Sequence, residues 1–217
     1  MSDSIVVLPR VGPDDARVAG FSTGEHERVV RVLLPGIGAE DRAHTWSELA
    51  TAAGVELAGS LRWSELLRHV PSPLRDELYE ASGRCEPTLV AVLVGVLTAA
   101  TSTPRLCTYA LWPGFAGELD GVSVTRPADG AAPAVRRSGG LVLHHDGLDW
   151  LHERSLGALA HYPVYLWPQD HAFLVACPIY HDSLYVSGPA SLAASLARAG
   201  LDVVDVTREL PLPSEGD

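Results

Sequence analysis

Imidazole and carboxylate side chains, which could bind a metal ion or move protons, are densest between residues 144 and 153. Six of them lie there: His144, His145, Asp146, Asp149, His152 and Glu153. Such side chains are the usual ligands of zinc and other divalent ions. Their spacing matches no metalloenzyme motif such as HExxH, and adjacent His144 and His145 would point to opposite faces of a strand. We therefore favour no metal site; the alternative ligand set, if this stretch is helical from its start, is His145, Asp149 and His152.

A cysteine nucleophile is the next chemistry that the sequence could support. The three cysteines, Cys85, Cys107 and Cys177, are odd in number and form no CxxC pair, so neither a disulfide framework nor a zinc site is indicated. Cys107 and Cys177 lie within apolar runs, where a thiol behaves as a small buried hydrophobe with a raised pKa. We expect reduced, buried thiols rather than a nucleophile.

Phosphate-binding and hydrolase motifs are missing from the sequence. It contains no GxxxxGK followed by Ser or Thr, no lysine that could complete one, no GxGxxG after a predicted strand, and no GxSxG. The well-marked nucleotide-binding and hydrolase classes are therefore unsupported, and no cofactor is indicated. An enzyme with this sequence would be a hydrolase of unmarked type, with or without a metal ion, using His and Asp groups near residues 146–152 or 170–182.

Aromatic and acidic side chains gather around the last predicted pair of strands, and this group is the candidate binding surface. It consists of Trp167, Asp170, His171, Asp182 and Tyr185. Trp and Tyr near strand ends often anchor contacts with another protein. Asp182 could equally form a turn, and Tyr185 could be a half-buried cross-strand neighbour. If residues 172–177 and 183–187 form the two strands, we expect Asp170, Asp182 and Tyr185 at the rim.

Two runs in this region carry a resemblance to a known family. The sequences WPQDHAF at 167–173 and DSLYVSG at 182–188 resemble the WP-x-DRAW and DSTYVGG signature of an actinobacterial protein family without an assigned activity. The segment 101–104 with Cys107, the segment 112–115 and the run 31–33 also resemble that family, so the similarity extends loosely over most of the chain. His171, Phe173 and Ser187 stand where the family usually has Arg, Trp and Gly. The resemblance implies an actinobacterial α/β protein and implies no activity.

Composition and charge restrict the class of protein. The 217 residues are 47% hydrophobic and 20% charged, as expected for one globular domain spanning residues 1–217. Sixteen basic and 27 acidic residues give a net charge of −11, which disfavours nucleic acid and anionic membranes as partners. The apolar core of the uncharged stretch 87–104, residues 89–100, is shorter than the ~20 residues of a membrane-spanning helix, so we expect a buried core helix. Residues 1–5 lack a basic segment before an apolar run, so we expect no secretory signal and a cytoplasmic protein.

The pattern of apolar residues and breakers predicts an α+β fold, with a mixed, mainly antiparallel sheet flanked by helices. The predicted strands are 29–34, 107–112, 141–145, 172–177, 183–187 and 203–206, and the predicted helices are 46–53, 74–81, 88–100, 148–159 and 190–199. The first helix begins at a capping box, Thr45 with Glu48, and ends at Gly54. The last presents Leu192, Leu196 and Ala199 on one face before Gly200. Residues 118–140 are predicted to form a flexible loop, and residues 208–217 a frayed tail.

These observations favour a binding protein without catalytic activity. Its partner would be another protein, in a regulatory or immunity-like role, held by the acidic and aromatic candidate surface defined above. The alternative is the hydrolase of unmarked type.

Overall fold

The computed structural model describes residues 17–39, 42–78, 83–114, 141–157 and 160–212. After a short 3-10 turn at Val18–Phe21, the strands are β1 Arg28–Leu33, β2 Gly36–Ile37, β3 Ala43–His44, β4 Cys107–Leu111, β5 Val142–Asp146, β6 Tyr165–Pro168, β7 Leu174–Ala176, β8 Ser183–Gly188 and β9 Val203–Asp205. The helices are α1 Trp46–Ala53, α2 Trp63–His69, α3 Ser72–Arg75, α4 Pro87–Ala100, α5 Asp149–Ser155 and α6 Ala190–Arg198. The predicted loop at 118–140 lies outside the described residues.

Seven strands form one sheet in the order β5-β4-β6-β7-β8-β1-β9. Every neighbouring pair in it is antiparallel, and β2 with β3 forms a separate antiparallel pair. The predicted pairing of the last two long strands is confirmed, since β7 and β8 are neighbours with Val175 opposite Val186. The α+β class with a mainly antiparallel sheet flanked by helices is thus confirmed.

Helices α4, α5 and α6 cover one face of the sheet, which we call the helix face. The buried side chains of α4 recur at helical spacing: Val90, Leu93, Val94 and Leu97. The predicted core helix is confirmed by this stripe, whereas the other side of α4, including Ala91 and Gly95, is exposed because it has no sheet to pack against. Within the described ranges, no helix is both long and apolar enough to span a membrane.

The opposite face, which we call the open face, is covered over part of its area. Helices α1 and α2 pack over the Leu33 end through Trp46 and Trp63, whose ring centroids are 5.3 Å apart. The predicted capping box of Thr45 with Glu48 is confirmed, as is the left-handed Gly54 that ends α1. These contacts hold α1 against the open face beside β1, where it buries the apolar side chain of Leu33.

Both ends of the described chain cover the middle of the open face. Val18 donates its backbone N–H to the carbonyl of Leu210, and Leu212 is 6% exposed against the cluster that contains Tyr165. Residues 208–212 were expected in the frayed tail, but they are held by this contact because Leu210 and Leu212 have an apolar sheet face to bury. Residues 213–217 lie outside the described part of the chain.

Three helix boundaries differ from the predictions. The helix predicted at 74–81, whose residues 79–81 lie outside the described ranges, corresponds to α3, Ser72–Arg75, because Pro73 suits the first turn and so starts the helix earlier. The helix predicted at 148–159 is the shorter α5, Asp149–Ser155. Ala199 is exposed rather than on the buried face of α6, since the helix ends at Arg198 and the chain turns away at Gly200.

Candidate functional site

The β5–β4–β6 end of the open face carries a cleft of about 540 Å³. Three side chains in register across three strands lie along it, since Thr108 of β4 is opposite both His145 of β5 and Trp167 of β6. The described residues that line the cleft are Arg105, Leu106, Cys107, Thr108, Leu143, His145, Asp146, Trp167, Gln169 and His171. The cleft is therefore built on rigid sheet and edged by the β6–β7 turn.

Strand alternation explains why polar groups reach this face. In β4, Cys107, Tyr109 and Leu111 are buried against the helices, so Thr108 must point to the open face. The Thr108 hydroxyl lies 3.1 Å from Nδ1 of His145 in a cross-strand pair. This hydroxyl and imidazole form the polar centre of the cleft.

The pair formed by Thr108 and His145 resembles part of a nucleophile and base arrangement but lacks the third member. In the described part of the chain, the only hydrogen bond of the His145 ring is the one to Thr108. The nearest acid in sequence, Asp146, accepts from the backbone N–H of Gly147 and lies 3.6 Å from Nε2 of His144. Among the described residues, the His145 imidazole thus has the Thr108 hydroxyl as a partner but no carboxylate that orients it, as the third member of a catalytic triad does.

The β6–β7 turn presents His171 to the cleft in an unusual backbone conformation. Its φ is +55°, a left-handed value that costs a residue with a Cβ roughly 1 kcal/mol. The His171 N–H donates to the Pro168 carbonyl at 3.0 Å, and the His171 carbonyl accepts from Nε2 of His26 at 2.9 Å. Strained positions of this kind are concentrated at functional sites, and here the strain places an imidazole at the cleft.

Asp170 holds that turn against the end of α4. Its carboxylate accepts hydrogen bonds from the Thr101 hydroxyl, from the N–H and hydroxyl of Ser102, and from the N–H of Ala172. Partial burial by itself raises the pKa of Asp170, but these four bonds outweigh it and lower the pKa to about 2. Asp170 is exposed, yet its acceptor capacity is used within the protein, so it positions His171.

Asp170→Asn is expected to destabilise the protein by about 1 kcal/mol at pH 7, as the loss of a capping carboxylate does. Because the folded-state pKa is about 2 against an ordinary 3.8, the charged form stabilises the fold above pH 4, and this contribution is lost between pH 4 and pH 2. Thermal unfolding at a series of pH values should show the gap from wild type narrowing over that range. Asp205→Asn, at an exposed ion pair with Arg28, is the control; an equal loss there at pH 7 would contradict the assignment.

Two residues of the predicted binding surface are not at its rim. Asp182 is 7% exposed, and its Oδ1 lies 2.9 Å from the Arg31 guanidinium. Tyr185 is 0% exposed on the open face beneath the terminal segments, and burial raises the pKa of its hydroxyl. The expectation that both lie at the rim was wrong, because β8 is an interior strand covered on both faces.

Arg31 is the buried charge that the sequence reading missed. It is 0% exposed. Its Nε donates to Ser183 Oγ at 2.7 Å, and one Nη donates to the carbonyls of Gly59 at 3.0 Å and Leu61 at 2.7 Å. Together with the Asp182 pair, these bonds join β1, β8 and the loop before α2. The signal in the sequence was an arginine in the middle of an apolar strand, which only a buried partner explains.

The residues of the metal and cysteine hypotheses have separate positions in the described structure. Among the described residues, no group of three or more His, Cys, Asp or Glu side chains could hold a metal ion, so the alternative set is not assembled. His145 lines the cleft, whereas Asp149 and His152 belong to α5. All three cysteines are buried, which confirms the burial predicted for Cys107 and Cys177, and burial, followed by the nearby Asp170 charge, raises the pKa of Cys107 to about 12.

The structure thus brings Trp167 and His171 to the cleft, with Asp170 behind them, and separates Asp182 and Tyr185 from it. Arg105, Thr108 and Gln169 also line the cleft, and the sequence did not predict them as site residues. The sequence pattern that could have identified Thr108 is a polar residue between apolar neighbours in a predicted strand. The chain matches no protein-family model, no curated protein and no solved structure.

Proposed function

We propose that this chain is a binding protein that recognises a partner protein through the cleft. The observation that carries the proposal is the row formed by His145, Thr108 and Trp167, which leaves an aromatic ring and polar groups accessible on an otherwise covered sheet face. Aromatic rings and arginines are the side chains that most often anchor protein interfaces, and Arg105 lies at the same cleft. A regulatory or immunity-like role is the setting in which such a protein would act.

Charge supports a basic partner. The chain carries a net charge of −11, which favours the approach of a positively charged surface and opposes that of an acidic one. Arg105 and two histidines at the cleft would then contact polar or acidic groups within that surface. Side chains at the cleft would therefore make the specific contacts, and the net negative charge of the chain would attract the partner.

A hydrolase is the second candidate, and the Thr108 to His145 contact is the observation that favours it. The hypothesis requires that both the Thr108 hydroxyl and the His145 imidazole be essential for turnover. It would be dropped if the Thr108→Val variant retained any hydrolytic activity that the wild-type protein shows.

Trp167→Ala is expected to reduce recovery of the partner by at least tenfold in affinity purification from the native cell. Truncating an anchoring tryptophan at an interface costs about 2 kcal/mol or more, which corresponds to a thirtyfold change in affinity. Leu156→Ala, which removes a side chain that is 68% exposed on the residue after α5, should leave recovery unchanged. If a protein is recovered equally with all three baits, or none is recovered with wild type, the proposed function fails.

The His171→Gly variant is expected to change stability and partner binding in opposite directions. Glycine adopts positive φ without strain, so this variant should be more stable than wild type by about 1 kcal/mol in thermal unfolding while losing affinity for the partner. Tyr180→Gly is the matched control, because Tyr180 also has a positive φ, of 63°. That control also loses the contact of the Tyr180 ring with Trp112, so no gain in stability is expected, and it should retain the partner. Unchanged binding in both variants would remove His171 from the site.

A further inference from the structure

The outer strand β5 directs a regular set of backbone groups away from the sheet. The Gln169 N–H donates to the Leu106 carbonyl at 2.8 Å, one pair beyond the β4–β6 register. Because hydrogen-bonded and non-bonded pairs alternate in antiparallel sheets, the peptide groups of Thr108 face β6, and those of its neighbours in β4 face β5. It follows that the N–H and C=O groups of Leu143 and His145 face outward.

The contact between Thr108 and His145 agrees with this assignment. Side chains approach more closely in non-hydrogen-bonded pairs than in bonded ones, and the Thr108 hydroxyl lies 3.1 Å from the His145 ring. No described residue forms a hydrogen bond with the outward backbone groups of Leu143 or His145. Within the described part of the chain, two donors and two acceptors along β5 therefore have no hydrogen-bond partner.

The two outer strands of the sheet differ in their protection. At β9, a loop lies so close that a Cβ on Gly59 would be 2.6 Å from the Asp205 carbonyl oxygen. The β5 sequence, VLHHD, contains no proline or lysine, the residues that commonly block pairing at a sheet edge. Among the described residues, β5 is thus the edge that can accept another strand.

We propose that an extended, basic segment of the partner adds to β5 as a further strand and places alternate side chains into the cleft. This inference rests on the proposed function. The side chains of Leu143 and His145 line the cleft, so a segment paired with them has every second residue over it. The exposed Asp146 at the end of β5 and the net charge of −11 favour a basic segment over a second copy of this acidic chain.

A library of linear random peptides displayed on phage and selected on the 217-residue chain provides the probe. We expect enrichment of extended peptides that contain Arg or Lys. Leu143→Pro, which deletes one outward N–H, should weaken their binding by at least tenfold relative to Leu143→Ala, which keeps the N–H and removes the side chain. Fluorescence polarisation measures the affinities, and circular dichroism checks that each variant is folded.

Val203→Pro is the matched control on the opposite edge. The Leu33 N–H bonds the Asp202 carbonyl in the β1–β9 register, so the N–H of Val203 also faces outward, and its loss should not change peptide affinity. Equal binding by Leu143→Pro and Leu143→Ala, or the absence of any enriched peptide, would overturn the inference. So would amide exchange showing Leu143 and His145 as protected as His144 in the isolated protein, or a dimer that Leu143→Pro dissociates.

Different results would contradict the proposed function and the inference of strand addition at β5. If Trp167→Ala abolishes recovery of the native partner but Leu143→Pro does not, the cleft binds without strand addition and only the present inference falls. If recovery is insensitive to Trp167→Ala, the proposed function falls, whatever the peptides show.

Discussion

Arg31→Met is expected to lower the free energy of unfolding by about 3–5 kcal/mol, the usual cost of removing one partner from a buried ion pair. The guanidinium is 0% exposed and binds Asp182, Ser183 and two loop carbonyls. Its loss removes the guanidinium from the two loop carbonyls and leaves the buried, charged Asp182 carboxylate with only the Ser183 hydroxyl as a side-chain donor. For a chain of this length, the melting temperature should fall by about 6–20 °C in thermal unfolding.

Arg28→Met is the control, since Arg28 lies three residues earlier in the same strand. Its ion pair with Asp205 joins side chains that are 49% and 69% exposed, and such pairs contribute about 0–1 kcal/mol. The double variant Arg31→Met with Asp182→Leu should recover part of the loss, because it removes the unpaired charge. A loss in Arg31→Met no larger than that in Arg28→Met would contradict the assigned role.

Gly36→Ala is expected to destabilise the protein by about 3 kcal/mol, the upper range for overpacking a core. A Cβ at this position would lie 2.7 Å from Cζ2 of Trp63 and closer still to Cη2. Trp63 is 6% exposed and packs against Trp46, so its ring has no space into which it can move. Urea denaturation should show a lower midpoint.

The same change at Gly95 should have the opposite sign. Gly95 lies on the exposed side of α4, and a Cβ there meets no atom within 4 Å. Alanine in a helix interior is about 1 kcal/mol more favourable than glycine, so Gly95→Ala should raise the urea midpoint. If the urea midpoints of Gly36→Ala and Gly95→Ala shift in the same direction, the room for a Cβ at one of these two glycines has been misjudged.

Elements whose determinants lie within a few residues of one another could be predicted from the sequence. The capping box at Thr45 and Glu48 starts α1, Gly54 ends it, and Pro87 begins α4. The strands β1, β4, β5, β7, β8 and β9 followed from β-branched or apolar runs bounded by breakers. Hydrophobic clustering and caps act locally, so these elements are determined by short-range interactions.

Elements that depend on distant partners were missed. Strand β6 is only four residues long and ends at Pro168, so it reads as a turn until β4 and β7 are found on either side of it. The positions of Asp182 and Tyr185 were misjudged for a related reason: burial of β8 depends on α1, the loop before α2 and the terminal segments that cover it.

The sequence by itself determined the fold class, most secondary structure, the burial of Cys107 and Cys177, and the absence of the marked nucleotide-binding and hydrolase motifs. The tertiary structure decided the cleft, because Thr108, His145 and Trp167 come together only through the register of three strands. It also decided that Arg31 and Asp182, 151 residues apart, neutralise each other in the interior. Register and burial are collective properties of the packed sheet, and no local run of residues specifies them.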